Sequence, residues 1–320
     1  MRHTDNAVSL ITNVLKGIFN GDYSDVQRVQ LYYHNTESVL ISLLNAQRLR
    51  LFESDCFSAL NKMVELGLLS ADIPLFYNEY RKLIDSEWQI DAVSEWSNAH
   101  LIHEGLLNRE LNISKKNVWF SADKVSRDNT GSYYTPGGFA IEVVHEAIKK
   151  YLNANGIGSE REAAQLLART KFADLSCGCG EFIKAIRIEL FKRYSIVPEK
   201  VCLNLYGIDI DPIALQITIC DLLELTPQDS WHEIISHFIL GNPLIDQPDE
   251  KDISLKTRLF ATGRFYNSDM GIDVNRLFGN TCIDIVVGNP PCPKDRQRRA
   301  VVQNTVLLIH LFPPCAPVWL

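Results

Sequence analysis

Apolar residues in the first third of the chain recur every three or four positions. Val8, Ile11, Leu15 and Ile18 fall on one helical face, and Val39, Leu40, Leu43 and Leu44 open a second such pattern. Residues 1–115 are therefore expected to form a helical accessory domain. They contain no glycine-rich loop, no strand–turn–helix phosphate signal and no spaced Asp…Glu-x-Lys cluster. From about 117 the texture changes. A polar loop, Ser126–Ser132, leads into Tyr133-Tyr134-Thr135-Pro136, after which a helix is predicted from Gly138 to Leu152. Short apolar runs at Phe172–Leu175, Leu203–Ile208, Phe238–Leu240 and Ile283–Val287 then alternate with helical stretches at about 180–194 and 212–225. Such alternation predicts an α/β domain built on a mostly parallel sheet with crossover helices on its faces. A long polar insertion, 245–282, precedes the fourth strand.

Composition narrows the class without naming it. Hydrophobic residues make up 46% and charged residues 22%, the balance of an ordinary globular chain. No apolar run approaches the roughly 18 residues that cross a bilayer. The start, MRHTDNAVSL, lacks the basic-then-apolar order of a secretory signal, so a cytoplasmic location and no membrane partner are expected. A net charge of −7 argues against a generally basic coat but leaves room for a local basic groove. The eight cysteines include no CxxC pair, so neither a disulfide framework nor a zinc site is expected.

Candidate chemistry begins at Asp174-Leu175-Ser176-Cys177-Gly178-Cys179-Gly180-Glu181-Phe182, where a strand turns into a helix. Glycines at such a turn let a ligand approach the backbone closely. The third glycine of a dinucleotide fingerprint is replaced by Ile183, so the pyrophosphate version fits poorly. Asp174, four residues before Gly178, suits a ligand with a cationic amino-acid end. The second strand ends Tyr206-Gly207-Ile208-Asp209-Ile210-Asp211-Pro212. A carboxylate at a strand's tip can accept hydrogen bonds from ribose hydroxyls, the role expected of Asp209. Asp211 and Pro212 read instead as the N-cap and first turn of the next helix.

Five segments occur in order: Gly131–Pro136, DLSCGCGEF, YGIDIDP, Gly241-Asn242-Pro243-Leu244 and Asn289-Pro290-Pro291. Together they resemble the N6-adenine DNA methyltransferases of restriction–modification and phage-defence systems, over residues of about 117–292. The resemblance implies an incomplete class I, Rossmann-like domain that binds S-adenosylmethionine. Tyr134, Thr135 and Pro136 would border the methionine part of that cofactor. Asp174, Ser176, Gly178 and Gly180 would line its amino-acid moiety, Asp209 would hold the ribose, and Ile210 would pack on the adenine. Asn242 stands where many relatives carry an Asp that bonds the adenine amino group, and an Asn still accepts through its amide oxygen. Thr135-Pro136 also reads as a helix N-cap followed by a first-turn proline.

Asn289, Pro290, Pro291 and Cys292 would form the catalytic tip. Adenine N6 is a poor nucleophile because its lone pair is delocalised into the ring. The Asn289 side-chain oxygen and the Pro290 carbonyl would accept its two hydrogens, and the prolines would fix the carbonyl's direction. The partner implied is duplex DNA with the target adenine flipped out. Relatives carry an aromatic residue where this chain has Cys292, and a lost stacking platform costs about 1–3 kcal/mol. Only residues 293–320 follow, too few for the further strands and the recognition region of the family. They are expected to be an irregular, truncated or out-of-frame tail. On this reading the chain is an inactive enzyme as it stands, a remnant, or one half of a split methyltransferase with a separately encoded C-terminal partner. Methylation of protein or RNA is the rival activity, since related NPP motifs serve there too.

Overall fold

The computed structural model describes residues 2–52, 55–87, 99–121, 135–241 and 283–289. These fall into two compact units, residues 2–121 and residues 135–289.

The first unit contains helices α1 (Arg2–Phe19), α2 (Val26–Arg48), α3 (Cys56–Glu65), α4 (Asp72–Glu87) and α5 (Ala99–Leu107). In α1 the buried stripe is Ala7, Leu10, Ile11, Val14 and Leu15, with Val8 and Ile18 at its margins. The helix at α2 starts where the Asp25 carboxylate accepts the Arg28 N–H at 3.0 Å. Every residue from Thr36 to Ala46 is buried, so α2 is the central helix, packed by α1, α3, α4 and α5. Glu37 lies inside that run, its Oε1 2.9 Å from Nδ1 of the buried His103 on α5. Burial pushes the Glu37 carboxyl up, but hydrogen bonds from His103 and His34 outweigh it and bring the pKa to about 2.

Helical periodicity was expected through residue 115, yet residues 110–121 form an antiparallel hairpin. Strand β1 (Glu110–Ser114) pairs with β2 (Asn117–Ser121) in register Ser114↔Asn117 around the turn Lys115-Lys116. The cause is visible in the side chains. Leu111 and Ile113 alternate with Asn112 and Ser114, and Val118 and Phe120 alternate with Asn117 and Trp119, a period of two. Tyr33 of α2 meets Phe120 edge-on with ring centroids 5.6 Å apart.

The second unit opens with α6 (Gly137–Ala154) and α7 (Glu160–Leu167). It continues with β3 (Phe172–Asp174), α8 (Glu181–Tyr194), α9 (Pro198–Cys202), β4 (Leu205–Asp209), α10 (Pro212–Leu223), α11 (Trp231–Ser236), β5 (Phe238–Leu240) and β6 (Ile285–Val286). All four strands are parallel, in the order β5-β4-β3-β6. The strand positions follow the four apolar runs of the sequence; β3, β4 and β5 are buried on both faces as a helix-covered parallel sheet requires, while Val286 of β6 is half-buried. Helix α10 is buried along almost its whole length against β4 and β5. Helix α8 packs along α6, where Nδ1 of His145 lies 2.7 Å from Oε1 of the buried Glu189. The start of α6 departs from expectation: Pro136, with φ −58° and ψ 131°, is the N-cap, and Thr135 does not cap the helix. Pro136 supplies only its carbonyl, which accepts the Phe139 and Ala140 N–H groups.

The insertion at 245–282 lies outside the described residues, as does the tail at 293–320. Within the first unit, His103→Ala strands the Glu37 carboxylate in the core, and a cost of about 3 kcal/mol is expected. Because the folded pKa lies below the unfolded one, the stability that Glu37 contributes is present above pH 4.5 and lost as pH falls toward about 2. Thermal melts of wild type and variant between pH 2 and pH 7 should converge at the acid end; parallel curves would contradict the assignment.

Candidate functional site

Strand order reverses at β3, since β4 and β5 extend to one side and β6 lies on the other. In open parallel sheets the carboxyl ends of the strands at such a point form a crevice for ligands. Four of the residues singled out from the sequence sit at or just beyond these ends: Asp174 on β3, Asp209 and Ile210 on β4, and Asn289 after β6.

The turn after β3 is held from three sides. The Cys177 N–H donates to the Ile208 carbonyl at 2.9 Å, and the Gly180 N–H returns to the Cys177 carbonyl at 2.8 Å. From α10, the Thr218 hydroxyl donates to the Gly178 carbonyl at 2.7 Å. Gly180 has φ +87°, and a Cβ there would stand 2.9 Å from the Thr218 hydroxyl, so conformation and space both demand glycine. Asp209 ties the turn to β4: its Oδ2 accepts the Gly178 N–H at 2.7 Å and its Oδ1 the Asp211 N–H at 2.9 Å. Asp211 in turn accepts from Ile213 and Ala214 at 2.9 and 3.2 Å, the capping role expected, with Pro212 in the first turn.

Asp174 is 1% exposed, with Oδ1 accepting the Ser176 N–H at 3.0 Å. Burial pushes its carboxyl up to about 7, against the Ser176 N–H and with help from the charge of Asp209. Burial likewise raises Asp209 to about 6, opposed by the Asp211 and Gly178 N–H groups. Among the described residues no Lys, Arg or His forms an ion pair with either carboxylate. Two desolvated acids side by side make a site of unbalanced negative potential, which a cationic ligand would relieve.

β6 brings the third group. Gly288 passes so close to Asp174 that an added Cβ would lie 2.6 Å from its Oδ1. The exposed Asn289 follows, its Nδ2 donating to the Thr135 hydroxyl at 3.3 Å. Asn289 thus bonds Thr135, Asp174 bonds Ser176 and Asp209 bonds Gly178, while Gly288 sets the strand tip that precedes Asn289 against Asp174 and Ser176, and Pro136 stands beside Thr135 at the head of α6. Tyr134, Asn242, Pro290, Pro291 and Cys292 lie outside the described residues. Sequence reasoning assigned no role to Thr218 or Gly288. A buried polar position on the mostly apolar helix α10, which also carries Gln216 and Asp221, is the signal for Thr218, and a glycine at a strand tip is the signal for Gly288.

Both acids have folded pKa values above their unfolded ones, so the folded chain keeps protons that the unfolded chain releases. Their charging therefore opposes folding as pH rises from about 4 to about 7. Asp174→Asn should raise the melting temperature at pH 8, a gain on the order of 2 kcal/mol that fades by pH 5; a gain equal at both pH values would refute the charge argument. Gly288→Ala should cost about 1–3 kcal/mol by overpacking. Combination with Asp174→Ala should recover part of that loss in a double-mutant melting series, and strict additivity would rule out the contact.

Comparison with curated proteins gives no match. The family model described as Eco57I restriction-modification methylase matches residues 203–303, a segment that begins just before β4 and takes in Asp209, β5, β6 and Asn289.

Proposed function

We propose that the second unit is a class I, Rossmann-like methyltransferase domain that binds S-adenosylmethionine and serves N6-methylation of adenine in DNA. The observation that supports this best is the meeting of a glycine turn, two strand-tip carboxylates and Asn289 at the point where strand order reverses, within a chain whose residues 203–303 match a restriction-modification methylase model. The donor set suits the cofactor. Its ammonium and sulfonium are cations, and Asp174 and Asp209 offer negative charge that no described side chain balances. The Asp209 oxygens each retain a lone pair beyond the backbone bonds they accept, enough for ribose hydroxyls.

When bound, the cofactor supplies a methyl group made electrophilic by the sulfonium. The chain's part is placement. Asn289 gives its Nδ2 to Thr135, which leaves Oδ1 as the acceptor for an N6 hydrogen. The Pro290 carbonyl would accept a hydrogen bond from the second hydrogen, leaving the adenine lone pair free for the methyl carbon. The methyl group would pass to N6 as its bond to sulfur is lost, and the surplus N6 proton would depart to solvent. No side chain has to act as an acid or base in this scheme; orientation lowers the barrier.

Calorimetry with S-adenosylmethionine should show binding that strengthens as pH rises from about 5.5 to 8, with protons released, because the ligand favours the charged carboxylates. With adenine-containing duplex and tritiated methyl donor, Asn289→Ala should lower transfer roughly 100-fold or more while leaving donor binding intact. Label appearing in protein or RNA substrate and never in DNA would move the reading to another acceptor. Absence of donor binding would end it.

A further inference from the structure

Glu181 is the first residue of α8, directly after the left-handed Gly180. Its side chain does not face the glycine turn alone. Oε2 of Glu181 lies 3.0 Å from the point where a Cβ on Gly137 would stand, which puts the carboxylate beside the first residue of α6. That helix end lacks a cap of its own: Pro136 offers no side-chain acceptor, and its carbonyl serves Phe139 and Ala140, not the N–H groups of Gly137 and Gly138. The first turn of an 18-residue helix presents unsatisfied donors and a partial positive charge, the environment that favours a carboxylate. Glycine at 137 keeps the approach open, since any larger residue would press on Oε2.

We propose that Glu181 is a positioning residue: its carboxylate caps α6 from the head of α8 and so fixes Thr135 where that hydroxyl receives the Asn289 amide. One residue, Pro136, separates Thr135 from Gly137, and α6 and α8 run packed together down to the His145–Glu189 contact. The glycine turn that precedes α8 and the strand tip that carries Asn289 are thereby held in one frame. The structural half of this proposal stands by itself, and the half that concerns methyl transfer rests on the function proposed above.

The test uses the full chain and two readouts. In hydrogen–deuterium exchange, Glu181→Ala should speed exchange across residues 137–141 about fivefold, the factor corresponding to a lost cap of about 1 kcal/mol. Glu181→Gln, which keeps an acceptor, should restore part of the protection. Unchanged exchange in the Ala variant, with a native melting curve, overturns the cap; an unfolded Ala variant transfers the test to Gln, whose exchange must then rise by a smaller factor or the cap is refuted. In the second readout, Glu181→Ala should leave the Kd for S-adenosylmethionine within about threefold of wild type yet lower kcat for DNA methylation about tenfold or more, with Gln in between. A large loss of donor affinity instead would make Glu181 a ligand contact and overturn its positioning role. A wild-type chain that binds no donor defeats the proposed function, while the exchange result still decides the cap.

Discussion

A single carboxylate holds the candidate site together. Asp209 accepts the Gly178 N–H with one oxygen and the Asp211 N–H with the other. One side chain therefore fixes the tip of β4, the glycine turn after β3 and the entry to α10. Each of these depends on another: Asp211 caps α10, α10 places Thr218, and Thr218 returns to the carbonyl of Gly178. The loop closes on itself through five hydrogen bonds in which every acceptor is a carboxylate oxygen or a backbone carbonyl. Bonds to charged groups contribute about 1.5–3 kcal/mol where neutral ones contribute about 1. That is why a turn built on two glycines, each adding chain entropy to the unfolded state, can hold one conformation.

The same charge works against the fold. Asp174 and Asp209 are forced toward neutrality by burial, helped by the charge of Asp209 on Asp174 and of Asp211 on Asp209. A protein under selection for stability alone would place Asn or Ser at such positions, because a buried polar group needs hydrogen bonds and not charge. Glu37 gives the contrast inside one chain. Its burial penalty is larger than any single opposing effect, yet two histidines outweigh it together and the carboxylate stays ionised far into acid. Asp174 and Asp209 have no such cation among the described residues. A structural acid has its counter-charge built in; a binding acid receives it from outside.

Much of this arrangement was legible in the sequence, and the boundary of legibility is physical. The strands β3, β4 and β5 read as short apolar runs because both of their faces are covered. Asp211 and Pro212 declared their helix start because capping is a local affair between residues two or three apart. The β1–β2 hairpin was hidden by the stronger helical periodicity upstream of it, although Leu111, Ile113, Val118 and Phe120 carry the alternation plainly once isolated. Thr135 was misread as a cap since its identity fits one; the proline after it takes the cap position, and the hydroxyl is engaged by a residue 154 positions away. No local pattern encodes a partner at that separation. For the same reason the closeness of Gly288 to Asp174 and the hold of Thr218 on Gly178 emerge only when strands and helices are assembled.

In the proposed reaction these observations bear on how the two ends of catalysis differ. Methyl transfer removes the sulfonium charge and leaves a neutral thioether, so the product bears one positive charge fewer than the donor. The protein's own groups stay where they were. Two carboxylates whose ionisation would be favoured by a donor of net single positive charge would then face a zwitterion of no net charge, and the burial that lifts Asp174 to about 7 and Asp209 to about 6 would reassert itself. Proton uptake at these tips becomes easier at that moment, and each proton taken up removes an attraction that retains the product. If the proposed reaction holds, a site made of unbalanced buried acids would discriminate donor from product by charge, without needing to change shape. Rigidity of the turn is an advantage under that scheme, because a loop that relaxed around the product would surrender the difference. The glycine turn clasped by Asp209 is built for that rigidity.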